Sequence, residues 1–134
     1  MIGSQTRVAP WVTWSGIVLI LISGAIHFIT TPGHFDYATY LGWLFILQGV
    51  GSLVAAYGIF RGDSWGWTLG FIMAGVAFVA YVWSRLFGLP GMPASEVEWL
   101  DPFGVIAKIA EVAFIAVYAY AMTMRAPDRV HAHS

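Results

Sequence analysis

Nine side chains able to carry a charge, a proton or a metal fall at one end of this chain's apolar stretches: His27, His34, Asp36, Arg85, Glu96, Glu98, Asp101, Lys108 and Glu111. Lys108 and Glu111 are three residues apart, which makes them neighbours on one face of a helix. Glu111 lies well inside an apolar stretch, where a charge facing lipid costs at least about 2.5 kcal/mol. It should therefore face other helices and either be protonated or pair. Lys108 is the nearest partner in sequence, and His27 and Arg85 are the partners available across a bundle. Alternatively Lys108 snorkels to the headgroups. Arg85 anchors the interface or pairs with Glu96 or Glu98, and Gln48, in mid-stretch, needs an interhelical hydrogen bond.

Three chemistries fit these residue types. A transition-metal site would use His27, His34 and Glu111, with Asp36 or Met92 as further donors, since imidazole suits copper, zinc and iron. The seven-residue gap between the histidines matches no compact ligand motif. A proton relay or small-molecule pocket would use the buried carboxylate with His27, His34, Gln48, Tyr81, Arg85 and Lys108 around it. Tyr81, Trp83, Trp99 and Phe103 could wall an amphiphile there, or act as belt aromatics. Haem is not expected, because His27 is the only histidine well inside a span and ligation needs a partner facing it. The His131-Ala132-His133 tail reads as a solvated segment.

Other classes are excluded by composition. The 134 residues contain no cysteine, so disulfides, thiolate metal sites and thiol catalysis are out. A formal net charge of −1 offers no basic patch for nucleic acid. No nucleophile elbow, HExxH motif or phosphate loop occurs, and Gly88-Leu89-Pro90-Gly91 is a turn. A non-catalytic role is the expectation.

The elements that must position these residues are all helical. Charged residues make up only 10% of the chain and apolar ones 59%, with a mean hydropathy of +0.75, against about 25% charged in soluble domains. Four stretches, at about 10–30, 37–60, 66–87 and 103–123, are each near the roughly 20 residues that cross a bilayer. The expectation is one all-α domain over 1–134: a four-helix transmembrane bundle, up-down-up-down, with short loops and a polar tail at 125–134. The first stretch is too long for a signal-peptide core and is read as an uncleaved span. Thr30-Thr31-Pro32-Gly33 reads as a break followed by a loop of about six residues holding His34 and Asp36. Asp63 or Ser64 should cap the third helix, Gly88 should stop it, and Asp101-Pro102 should start the fourth. Small residues recur at packing intervals at Gly51/Ala55, Gly66/Gly70/Ala74 and Ala107/Ala110/Ala113/Ala116.

With four spans both termini share a side. Arg7, Arg61, Arg125 and Arg129 all lie on it, whereas the opposite loops carry no lysine or arginine. The positive-inside rule then makes this a multi-pass cell-membrane protein with cytoplasmic termini and the polar cluster at the outer face. The lipid bilayer is one partner, and a membrane protein or further copies of the chain are others.

The order His27 … Pro32-Gly33-His34-Phe35 … Gln48 … Tyr81-Val82-Trp83-Ser84-Arg85 … Gly88-Leu89-Pro90-Gly91 … Asp101-Pro102-Phe103-Gly104 … Glu111 resembles small bacterial four-span integral membrane proteins of unassigned function. That resemblance covers about residues 10–123 and implies the four-span fold and a role for these residues, but no reaction. Those proteins typically carry an acidic residue or alanine where this chain has Lys108. By span count alone the chain is also similar to DoxX-like four-helix membrane proteins. The expected function is binding of a small ligand or metal in an intramembrane polar pocket. The alternatives are an accessory subunit of a larger membrane complex and a small oligomeric transporter.

Overall fold

The computed structural model describes residues 8–133, with side chains described for 8–124. Arg7 lies outside the described residues, as do the side chains of Arg125, Arg129, His131 and His133. The chain is all-α. Among the described residues its helices are α1 (Pro10–Tyr37), α2 (Thr39–Phe60), α3 (Ser64–Leu86) and α4 (Pro102–His133), with a 3-10 turn at Ala94–Glu96. All four are long and apolar enough to cross a membrane, the fourth over Pro102–Met124. They form an up-down-up-down bundle in which each helix packs on its neighbours in the chain and α1 closes the ring against α4. This fits a multi-pass integral membrane protein. The residues expected as a separate polar tail continue the α4 backbone to His133.

The expected break at Thr30–Gly33 is absent. Helix α1 runs through Pro32 to Tyr37, and Ala38 alone, in extended conformation (φ −166°, ψ 144°), joins it to α2. Proline removes one helical bond, that to the Phe28 carbonyl. The neighbouring turns are reinforced locally. Thr30 Oγ1 donates to Ile26 O at 2.8 Å, Thr31 Oγ1 to His27 O at 2.6 Å, and the Ala38 N–H to His34 O at 3.2 Å. Membrane helices tolerate proline when threonine hydroxyls and neighbouring elements supply such bonds. At 28 residues α1 is about 42 Å long, more than the roughly 30 Å hydrocarbon core. His34 and Asp36 therefore lie on its last turns rather than in a loop.

The other boundaries follow their signals. Asp63 is the N-cap residue of α3, but its carboxylate bonds Arg61 Nε (3.3 Å) and Trp65 Nε1 (3.2 Å) rather than the helix. Asp101 caps α4 through Oδ2, which accepts from the Gly104 N–H at 2.9 Å. Gly88 ends α3 at φ 79°, a region side-chain-bearing residues avoid.

The core splits into two zones. Away from the histidines, Val12, Ile20, Ala55, Ile59, Trp67 and Phe114 pack as one cluster, with the Trp67 and Phe114 rings stacked at 5.8 Å. There α2 and α3 touch backbone to backbone: a Cβ on Gly66 would come within 2.7 Å of Gly58 Cα. Toward the histidines the same two helices separate and a cavity opens. Gly66→Leu should push the helices apart at their tight end and cost about 1–3 kcal/mol, as overpacking of a tight core does. Thermal unfolding in detergent should show a lowered midpoint, while the lipid-facing Val54→Leu leaves it unchanged.

Candidate functional site

Four side chains fix the geometry of the histidine end. Glu111 is fully buried. Its Oε1 pairs with Lys108 Nζ at 2.5 Å, and its Oε2 accepts from Ser23 Oγ at 2.6 Å. Lys108 Nζ also donates to Ala77 O on α3 at 3.1 Å. One ion pair on α4 thus ties α4 to α1 through the carboxylate and to α3 through the ammonium. Gln48 Nε2 donates to Met73 O at 2.7 Å and joins α2 to α3. Met73 and Ala77 are one turn apart, so α3 is held by backbone carbonyls from both sides. Lys108 spends its charge in the bundle rather than snorkelling out.

His27 and His34 lie two turns apart on α1. His27 Nδ1 sits 2.8 Å from Ser23 O, and His34 Nδ1 sits 2.9 Å from Thr30 O. A carbonyl oxygen can only accept, so each Nδ1 carries the proton. In the neutral ring Nε2 is then a free acceptor. Neither Nε2 has a hydrogen-bond partner among the described residues. Phe45 of α2 packs on both rings, stacked on His34 at 3.6 Å and tilted against His27 at 5.0 Å.

Arg85 ends α3. Its Nε donates to the backbone oxygen of Glu98 (3.0 Å), not to the carboxylate of Glu96 or Glu98, and its guanidinium donates to Ser84 Oγ (3.0 Å). No acidic side chain pairs with Arg85 among the described residues. Its Cζ lies 3.8 Å from the Tyr81 ring centroid, and Lys108 Nζ lies 5.0 Å from the same ring. Two cations thus share one aromatic ring.

These groups border a cavity of about 240 Å³ between the four helices. Its walls are mostly aliphatic and aromatic. His27, Thr30, His34, Gln48, Tyr81, Ser84, Arg85, Asp101 and Lys108 supply the polar exceptions, while Glu111 stands behind Lys108, off the wall. The three residues expected to ligate a metal are not brought to one point. Glu111 is committed to Lys108 and Ser23. Among the described residues no group of three or more histidine, aspartate or glutamate side chains is placed to hold an ion.

Sequence reasoning missed Ser23 and Phe45. Ser23 is one turn before His27 on the same helix face, and that shared face is the one signal that could have placed it toward the bundle. Phe45 carries no polar signal; only its packing gives it a role.

Comparison of the chain with family models, with curated proteins and with solved structures finds no match.

The buried pair generates a double-mutant cycle. Lys108→Met leaves Glu111 charged and unpaired, or neutral with a bond lost, and should cost about 3–5 kcal/mol. Lys108→Met with Glu111→Leu should recover most of that loss, because the apolar replacements need no partner. Unfolding free energies in mixed micelles check this; additive losses would remove the pair from the account.

Proposed function

We propose that this protein is a cell-membrane protein whose histidine end faces outward and whose cavity binds a small ligand without transforming it. The observation that carries the reading is a cavity whose polar wall groups have unspent valence. Among the described residues the two Nε2 atoms accept nothing and Arg85 has no carboxylate partner. Apolar walls with a few convergent polar groups are the usual build of a small-molecule site. The Lys108–Glu111–Ser23 network has its partners already and serves as scaffold beneath the cavity. A metal ion is a narrower form of the same reading. It would bind His27 or His34 through Nε2 and draw its remaining donors from the ligand or water.

The outward orientation rests on Arg7, Arg61, Arg125 and Arg129 sharing the other side. A second reading, an accessory subunit of a membrane complex, draws on α3. It is the least buried of the four helices and carries Phe71, Ile72, Val76, Val79 and Trp83 outward.

Two experiments test these claims. A reporter active only in the cytoplasm should give signal when fused after Ser134 and none when inserted after Met92; the reverse pattern overturns the orientation. For binding, protein purified in mild detergent should retain a small molecule visible by mass spectrometry of its organic extract. Ala80→Phe, which fills the cavity rim, should lose it, and Val54→Phe, on a lipid-facing position, should keep it. Equal retention by both variants points to surface lipid and rejects the cavity as the site.

A further inference from the structure

Resting on the reading of the cavity as a ligand site, we infer that its ligand is an uncharged amphiphile headed by a hydroxyl group, which enters sideways between α2 and α3. Three observations carry this.

The end of the cavity nearest the headgroups is covered. The segment between α3 and α4 folds over it, turning at Gly88 and Gly91 (φ 79° and 83°), with Leu89 and Met92 joined by reciprocal backbone bonds of 3.0 and 2.8 Å. Both residues line the cavity, and Met92 is 2% exposed. Side chains from three helices hold the segment by its backbone carbonyls. Tyr40 donates to Pro90 O (2.6 Å), Tyr37 to Glu96 O (3.4 Å), Tyr81 to Trp99 O (2.6 Å) and Arg85 to Glu98 O. The cover is therefore fastened to α1, α2 and α3 at once.

The side of the cavity is open. Leu44 and Leu47 of α2 and Val76 of α3 line it, yet they are 50%, 60% and 56% exposed. They face the hydrocarbon, so a solute reaching the cavity this way arrives dissolved in the bilayer. Gly58 and Gly66 pin α2 to α3 at the far end, and Gln48 bridges them in mid-span, so the gap is built into the packing.

The polar wall asks for a group that both donates and accepts. The imidazole Nε2 atoms of His27 and His34 present lone pairs, and Arg85 presents spare N–H groups. A hydroxyl donates to the first and accepts from the second. Lys108 and the Asp101 carboxylate share the wall. The Lys108 ammonium is already paired with Glu111. A carboxylate ligand would add like charge to Asp101 while having no proton to give Nε2. The apolar remainder of the ligand lies along Phe45, Leu44 and Val76 and leaves through the side opening.

The test uses proteoliposomes and two photoreactive probes of equal chain length, one a primary alcohol and one the matching carboxylate. Crosslinks are mapped by peptide mass spectrometry. The alcohol should label cavity residues about tenfold more than the carboxylate, the equivalent of one hydrogen bond of about 1.4 kcal/mol. Paired Leu44→Trp and Val76→Trp substitutions should abolish that labelling. Tyr37→Phe with Tyr40→Phe, which loosens the cover, should leave it unchanged. Circular dichroism checks the helical content of each variant, with Leu47→Trp as the substitute plug if the pair misfolds. Equal or stronger labelling by the carboxylate overturns the hydroxyl assignment and leaves the cavity a ligand site. Labelling that survives the plug but rises when the cover is loosened overturns sideways access. No labelling of cavity residues above that of lipid-facing Leu53 by either probe rejects the ligand site itself.

Discussion

A carboxylate buried between transmembrane helices must be neutralised, and the rest of the histidine end follows from how Glu111 meets that demand. Lys108, one turn before it on α4, supplies the charge at 2.5 Å. The ammonium then needs further acceptors, because three N–H groups cannot be left bare in hydrocarbon. It finds Ala77 O on α3 and the face of Tyr81. The carboxylate likewise takes a second bond from Ser23 on α1. A single i,i+3 pair thereby fixes the spacing of three helices, since its bond to Ser23 is lost if α1 slides against α4 and its bond to Ala77 O if α3 does.

The cavity is a consequence of that spacing. Lys108 holds α3 on one side by Ala77, and Gln48 holds it on the other by Met73. The small residues at Gly58 and Gly66 draw α2 and α3 together only near their shared turn. Above Gln48, among the described residues, no further side-chain hydrogen bond joins them. Phe45 fills part of the gap by stacking on His34, and the remainder stays open beside two imidazoles whose Nδ1–H groups are spent on their own helix. Backbone bonding by Nδ1 thus sets which nitrogen is presented. It turns two residues that look like proton donors or metal ligands into acceptors on the wall of a mostly apolar space.

Much of this architecture was legible in the sequence. Four long apolar stretches between turn signals have one economical solution in lipid, because only helices satisfy every backbone group internally. Asp101-Pro102 and Gly88 marked their helix ends through capping chemistry that acts locally. The i,i+3 spacing made Lys108 one of three candidate partners for Glu111, beside His27 and Arg85, and it is the one that pairs. The Pro32-Gly33 break was misread because proline's cost depends on whether neighbouring carbonyls find other donors, and Thr30 and Thr31 provide them. Arg85 reads from the sequence as an interfacial anchor or a partner of Glu96 or Glu98, and the loop presents it a backbone oxygen of Glu98 rather than a carboxylate. Loop conformation decides that choice, and composition carries no trace of it. The metal grouping of His27, His34 and Glu111 failed to assemble for a related reason. Proximity in depth does not reveal that Ser23 and Lys108 take up the carboxylate first.

The central claim is that Lys108 and Glu111 are in direct contact inside the bilayer and that this contact organises the histidine end. Solid-state NMR can measure it in lipid, with nitrogen-15 at Lys108 Nζ and carbon-13 at Glu111 Cδ, by the rate at which one nucleus dephases the other. The account predicts the rapid dephasing of a hydrogen-bonded ion pair, with a second carboxylate contact to the Ser23 hydroxyl. No detectable dephasing, with the Lys108 ammonium instead close to lipid phosphate, would contradict it.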